Sequence, residues 1–205
     1  MNHNFKSAIS GFENIKRFWD SGHQQVIAKV LPGEFYVSKN DELITTVLGS
    51  CIAACIYDDK LGIGGMNHFM LPIEKGLEPT SAHNLNCRYG NWAMEFLINE
   101  VLKNGASRHN LKIKLFGGGK IIRSMTDIGL GNIRFAYSYV QEEGLNLVSH
   151  DVGGPWPRKV IFNPQTGKVQ VKKLREMHSV VIEKREVRYL HEIEAQDSKT
   201  DIELF

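Results

Sequence analysis

Two residues in the stretch 45–71 have side chains suited to nucleophilic chemistry. Cys51 follows Leu48-Gly49-Ser50, a small flexible turn set just before the apolar run Ile52-Ala53-Ala54-Cys55-Ile56-Tyr57. A thiol at such a turn sits at the edge of a core with little steric cover. At its ordinary pKa it is only a few per cent thiolate near neutrality, so it needs a neighbouring base. His68 stands at the end of a glycine-rich run, Ile63-Gly64-Gly65-Met66-Asn67-His68. An imidazole beside a thiol makes an acyl-transfer pair, and N–H groups around Gly49, Ser50 and Cys51 could steady the oxyanion that such chemistry creates. Gly64 and Gly65, with no side chains, would allow close approach of substrate or of neighbouring backbone.

Each of these residues also has a plainer reading. A cysteine beside an apolar strand is commonly a small buried hydrophobe, and Cys55 fits that description well. Strand alternation puts Cys51 on the same face as Cys55, so Cys51 could belong to the core too. A histidine in apolar sequence is commonly structural. Cys51, Cys55, His83 and Cys87 have paired spacings of four that could hold zinc, but structural zinc ligands favour tight knuckles, and the first pair lies in strand-like sequence. The triple glycine Gly117-Gly118-Gly119 lacks the lysine-serine ending of a phosphate loop.

The elements that must position Cys51 and His68 are strands. Residues 35–37, 42–47, 52–57 and 63–71 are rich in β-branched and aromatic side chains, and Asp58-Asp59-Lys60-Leu61-Gly62 is a turn midway between the two site residues. A hairpin about that turn would bring Cys51 and His68 together. A polar loop is expected over 73–89, then a helix with Trp92, Ala93, Phe96, Leu97, Val101 and Leu102 on one side, ended by Asn104-Gly105. Further on come a strand at 111–116, a helix at 133–143, a strand at 145–150, and a hairpin of 159–162 with 168–171 around Asn163-Pro164-Gln165-Thr166-Gly167. Adjacent strands without crossover helices point to an α+β domain. At the N-terminus, Phe5, Ile9, Phe12, Ile15 and Trp19 recur at helical spacing, so residues 1–30 are expected to be an extension forming an amphipathic helix. Residues 31–175 are the core domain. Residues 176–205 are a charged C-terminal extension, in which Val180, Val187, Leu190 and Ile193 could line one face of a solvated helix.

Composition narrows the class. The 205 residues are 42% hydrophobic and 23% charged, enough for one substantial core. A net charge of +2 without a basic stripe gives no reason to expect a nucleic-acid partner. No apolar run reaches the roughly eighteen residues of a membrane span. Three cysteines in a chain without a recognisable export signal suggest free thiols and a cytoplasmic setting.

Thr45-Thr46-Val47-Leu48-Gly49-Ser50-Cys51-Ile52-Ala53 and Gly64-Gly65-Met66-Asn67-His68-Phe69-Met70-Leu71-Pro72 together resemble the bacterial chemoreceptor glutamine deamidase family, CheD. Lys114 to Gly119, Asp151 to Gly154, and 159–162 with 166–169 match in the same order. The resemblance implies a layered β-sandwich with flanking helices, related to bacterial deamidase toxins. It implies hydrolysis of receptor glutamine side chains to glutamate, with Cys51 as nucleophile, His68 as base and Thr45 orienting the imidazole. Ser50, Gly49 and Gly65 would then serve the substrate and its oxyanion. No cofactor or metal is implied. Methyl-accepting chemotaxis proteins are the implied substrates, and a CheC-type phosphatase a further partner. Gly131 and Pro157 depart from the family pattern, at positions away from the matched catalytic residues.

Overall fold

The computed structural model of the chain describes residues 5–71, 85–121, 128–174 and 176–200. In chain order its elements are β1 (Lys16–Asp20), β2 (Gln25–Lys29), β3 (Phe35–Ser38), β4 (Glu42–Leu48), β5 (Ile52–Asp58), β6 (Ile63–Asn67), α1 (Leu85–Lys103), β7 (Lys112–Gly117), α2 (Ile128–Glu142), β8 (Asn146–Val152), β9 (Arg158–Phe162), β10 (Val169–Lys173) and α3 (Glu176–Thr200). The strands make two five-stranded sheets, β1-β2-β4-β9-β10 and β3-β6-β5-β7-β8. Both are mixed, with β2–β4 and β7–β8 parallel and the other pairs antiparallel. The expected α+β architecture is what the chain adopts.

β5 explains how the layers are held. Every one of its residues is buried, as expected for an apolar strand covered on both faces. Helices α1 and α2 pack on its sheet. The first sheet shares the same core through Ile44, Leu48, Val160 and Phe162, and the rings of Tyr57 and Phe162 meet at 6.0 Å. The β5–β6 hairpin forms as the sequence suggests. Asp58 accepts the N–H groups of Lys60 and Leu61, and Gly62 takes a positive φ of 66° that few other residues tolerate.

Two terminal expectations change. The N-terminal segment is not a helix: β1 and β2 pair as an antiparallel hairpin, and β2 adds to β4. Asp20 closes the turn by accepting the N–H groups of Gly22 and His23, and Arg17 is tied to buried Glu42 at 2.7 Å. Phe12, placed by spacing on a helix face, instead packs edge-on against Phe35 and Tyr36. The C-terminal segment is a helix, and of the face expected of it Leu190 and Ile193 are buried and Val187 packs on the core. Val180 is exposed, and the buried stripe is Ile182, Glu186, Leu190 and Ile193. A charged residue interrupts that stripe at its centre. The second helix begins at Ile128, earlier than the periodicity indicates, and the first begins at Leu85, inside the stretch read as a loop.

Candidate active site

The turn carrying Cys51 is fixed by its carbonyls. Gly119 N–H donates to Gly49 O at 2.6 Å and Gly118 N–H to Cys51 O at 2.8 Å. The Asn132 side-chain amide donates to Ser50 O at 2.8 Å, while its own oxygen accepts Leu71 N–H at 2.8 Å. Asn132, fully buried on α2, thus joins the Cys51 turn to the segment just after His68. Gly117 must be glycine, since its φ is 113° and a Cβ there would lie 2.0 Å from Cys51 O. With three successive carbonyls engaged by the body of the protein, the N–H groups of Gly49, Ser50 and Cys51 are left for another partner.

His68 reaches this turn through the hairpin. Ile52 and Phe69 exchange both backbone hydrogen bonds at 2.9 Å, so Cys51 and His68 lie diagonally across that bridge on one face of the pair. His68 is held by its backbone to Glu34 O and Gly33 N. Its Nδ1 lies 2.7 Å from the Thr46 hydroxyl, and that hydroxyl donates to Val30 O at 2.8 Å. Thr46 has one proton and directs it to Val30, so Nδ1–H must be the donor in the imidazole contact. The tautomer is thereby set. Nε2 carries no proton, is buried, and has no hydrogen-bond partner among the described residues, the condition a general base requires.

The neighbouring threonine does not fill this role. Thr45 was expected to orient the imidazole; its hydroxyl donates instead to Val160 O at 2.8 Å. Adjacent strand residues face opposite ways, so only one of the pair can look toward His68, and on β4 that one is Thr46.

The N–H groups of the turn are occupied by Glu186 from α3. Its Oε1 accepts from Gly49 N at 2.7 Å and more weakly from Cys51 N at 3.5 Å. Its Oε2 accepts from Ser50 N at 2.8 Å and Ser50 Oγ at 2.7 Å. A ligating nitrogen of His68, the Cys51 sulfur and a Glu186 oxygen all lie within 4.8 Å of one another. Burial and the Glu186 carboxylate push the Cys51 thiol well above its ordinary value, against a lesser pull from Arg185. Burial, with Arg185 nearby, lowers His68 to about 3. With α3 in place the pair is therefore a neutral thiol and a neutral imidazole.

Residues 70–173 match the family model described as CheD chemotactic sensory transduction. The probable chemoreceptor glutamine deamidase CheD of Halorhodospira halophila is 49% identical over 203 residues, covering 96% of this chain and 93% of that protein. The proteins of the same description from Hydrogenovibrio crunogenus and Saccharophagus degradans are 49% and 46% identical, covering 86% and 98% of this chain and 93% and 94% of their own length. The chain belongs to the CheD family.

In this CheD-family chain the structure brings Cys51, His68, Ser50 and Gly49 together and leaves Gly65 out. A Cβ on Gly65 would meet Leu97, Tyr36 O and Val37 within 2.8 Å. That glycine lets Leu97 of α1 and the neighbouring strand β3 pack closely on β6. Cys55 pairs across to Met66 and Lys114 in the core, and a zinc set using it with Cys51 has no geometric basis. His83 and the side chain of Cys87 lie outside the described residues. Cys51, His68 and Glu186 are the one candidate metal trio among the described residues, but both Glu186 oxygens are already committed to N–H and O–H donors. Sequence reasoning missed Thr46, Asn132 and Glu186. Glu186 had a detectable signal: a carboxylate in register with Ile182, Leu190 and Ile193.

Proposed function

We propose that this protein is a cysteine-dependent glutamine deamidase acting on chemoreceptors. The reading is supported by family membership, by the names of full-length relatives, and above all by the pairing of Cys51 with a His68 whose tautomer leaves Nε2 free to take the thiol proton. In the proposed reaction, Nε2 removes that proton and Sγ attacks the side-chain carbonyl carbon of glutamine. The N–H groups of Gly49 and Cys51 receive the oxyanion, with Ser50 facing the amide nitrogen. The C–N bond breaks, the imidazolium returns its proton to the leaving nitrogen, and ammonia departs. Water, deprotonated by Nε2, then cleaves the thioester and restores the thiol. No redox group or metal enters this scheme. Each new carboxylate would be open to esterification, which is how the activity would serve sensory adaptation.

A purified receptor cytoplasmic domain incubated with the protein should gain about one mass unit per converted glutamine, as an amide nitrogen is exchanged for hydroxyl oxygen. Cys51→Ala should leave that mass unchanged. Identical receptor masses with wild type and variant would reduce the protein to a receptor-binding module.

A further inference from the structure

Glu186 is an unusual residue to find at the centre of a helix docking face. A carboxylate taken from water into a protein interior is costly unless hydrogen bonds replace its hydration. At the centre of an apolar helix stripe an aliphatic residue would dock α3 more simply. Yet Glu186 is fully buried between Ile182 and Leu190, and among the described residues its hydrogen-bond partners are the donors of the Cys51 turn rather than a cation. The turn is also shaped around it: a Cβ on Gly49 would come within 2.7 Å of a Glu186 oxygen and 2.0 Å of Ile121.

Chemically, a glutamate side chain in the N–H pocket beside a thiol and an imidazole is the product of glutamine hydrolysis, held where it is formed. We propose that α3 is a built-in product mimic, which seats Glu186 in the substrate subsite and keeps the enzyme closed until a glutamine-bearing helix displaces it. This inference rests on the deamidase chemistry proposed above. It further assigns the subsite: Oε1 marks the oxyanion position, facing the N–H groups of Gly49 and Cys51. Oε2 marks the position of the departing nitrogen and entering hydroxyl, facing Ser50.

The rest of α3 fits a docked, removable helix. Arg185 donates to Val47 O at 2.6 Å. Tyr189 packs on Gly33, close enough that a Cβ there would touch its hydroxyl at 3.0 Å, and it hydrogen-bonds to Tyr89 of α1. These anchors lie one residue before and three after Glu186, so the helix is clamped around the subsite. The assignment also explains why closure is stable. A carboxylate presents acceptors to every donor of the pocket, whereas a carboxamide presents its NH2 to one of them. Product-like glutamate holds better than glutamine would.

The test is Glu186→Gln in the full chain. The substitution turns the mimic into a substrate held in cis, so position 186 should be recovered as glutamate, about one mass unit heavier in the α3 peptide. Alternatively it should stall as a Cys51 thioester with ammonia lost, about 17 mass units lighter. Either product should vanish in the Cys51→Ala/Glu186→Gln double variant. Independently, Glu186→Ala should raise the rate of Cys51 alkylation by iodoacetamide at least roughly tenfold, with Cys55 as the internal reference. A glutamine that persists at 186 in folded, Cys51-intact protein overturns the assignment, and so does an unchanged alkylation rate in Glu186→Ala. If those results came with a receptor domain that is still deamidated, closure by α3 would fall and the proposed function would stand. Conversion at 186 without conversion of any receptor would support this inference and overturn the receptor as target.

Discussion

The Cys51 turn and helix α3 meet at the same three N–H groups but are tied to the molecule in different ways. The turn is bonded through its main chain: Gly118, Gly119 and Asn132 engage the carbonyls of residues 49–51, and it leads into the wholly buried β5. Helix α3 touches the same place through side chains alone, by Glu186, Arg185 and Tyr189 together with the apolar stripe. Main-chain bonds inside a sheet open only when the sheet opens, whereas a helix docked by one face can leave as a unit. The contrast suggests a catalytic frame that is permanent and a cover that is optional.

The largest effect should follow from breaking the frame chemically. His68→Gln removes the proposed base, and if the proposal holds receptor deamidation should fall about 10²- to 10⁴-fold, measured by mass spectrometry under conditions where the variant is shown to be folded. The same variant probes stability against pH. His68 titrates near 6.5 when unfolded but is lowered to about 3 in the folded protein by burial, with Arg185 of α3 facing it and Glu186 and Cys51 alongside. Between those two values the unfolded chain binds the extra proton, so stability falls as pH drops through that window. Cys51 acts at the other end. Its thiol is raised above its ordinary value, chiefly by burial, so above about pH 9 the unfolded chain loses a proton that the folded chain keeps, and stability falls as pH rises. Urea midpoints should therefore plateau between the two ordinary values, and His68→Gln should flatten the acid side.

A smaller, paired experiment sets frame against cover directly. Phe162→Ala empties a fully buried site on β9 and should cost about 3–5 kcal/mol of global stability, read from the urea transition. Leu190→Ala removes an equally buried side chain from α3. It should loosen the helix and speed Cys51 alkylation while moving the global transition much less. Equal losses of global stability from both substitutions would show that α3 is part of the frame.

The frame was the legible part of this molecule. The Cys51–His68 hairpin could be read from strand composition on either side of Asp58 to Gly62, because a period of two and a turn are local properties. What escaped was set by contacts distant in sequence. Phe5 to Trp19 have helical spacing, yet the hairpin wins because β2 can extend an existing sheet beside β4 and gain tertiary support that an isolated short helix lacks. Asn132 lies just before the helix expected over 133–143 and shows no role until the carbonyl of Ser50 appears beside it. Glu186 was hidden by its own type, since a glutamate in a charged tail is usually solvated; only its place in the buried stripe marks it.

The finest distinction concerns the two adjacent threonines, and it separates resemblance from geometry. Thr46→Val removes the acceptor of the His68 Nδ1–H while leaving the size of the side chain nearly unchanged. One neutral hydrogen bond is worth about 1 kcal/mol, so kcat should fall roughly fivefold. Because the lost bond fixes the tautomer, the acid limb of the kcat pH profile should shift as well, which a purely structural loss would not produce. Thr45→Val instead removes a bond to Val160 O between β4 and β9. It should lower the urea midpoint by a similar free energy and leave both kcat and its pH profile alone. A pH profile that moves with Thr45→Val and not with Thr46→Val would return the orienting role to Thr45, and with it the opposite facing of β4 at the site.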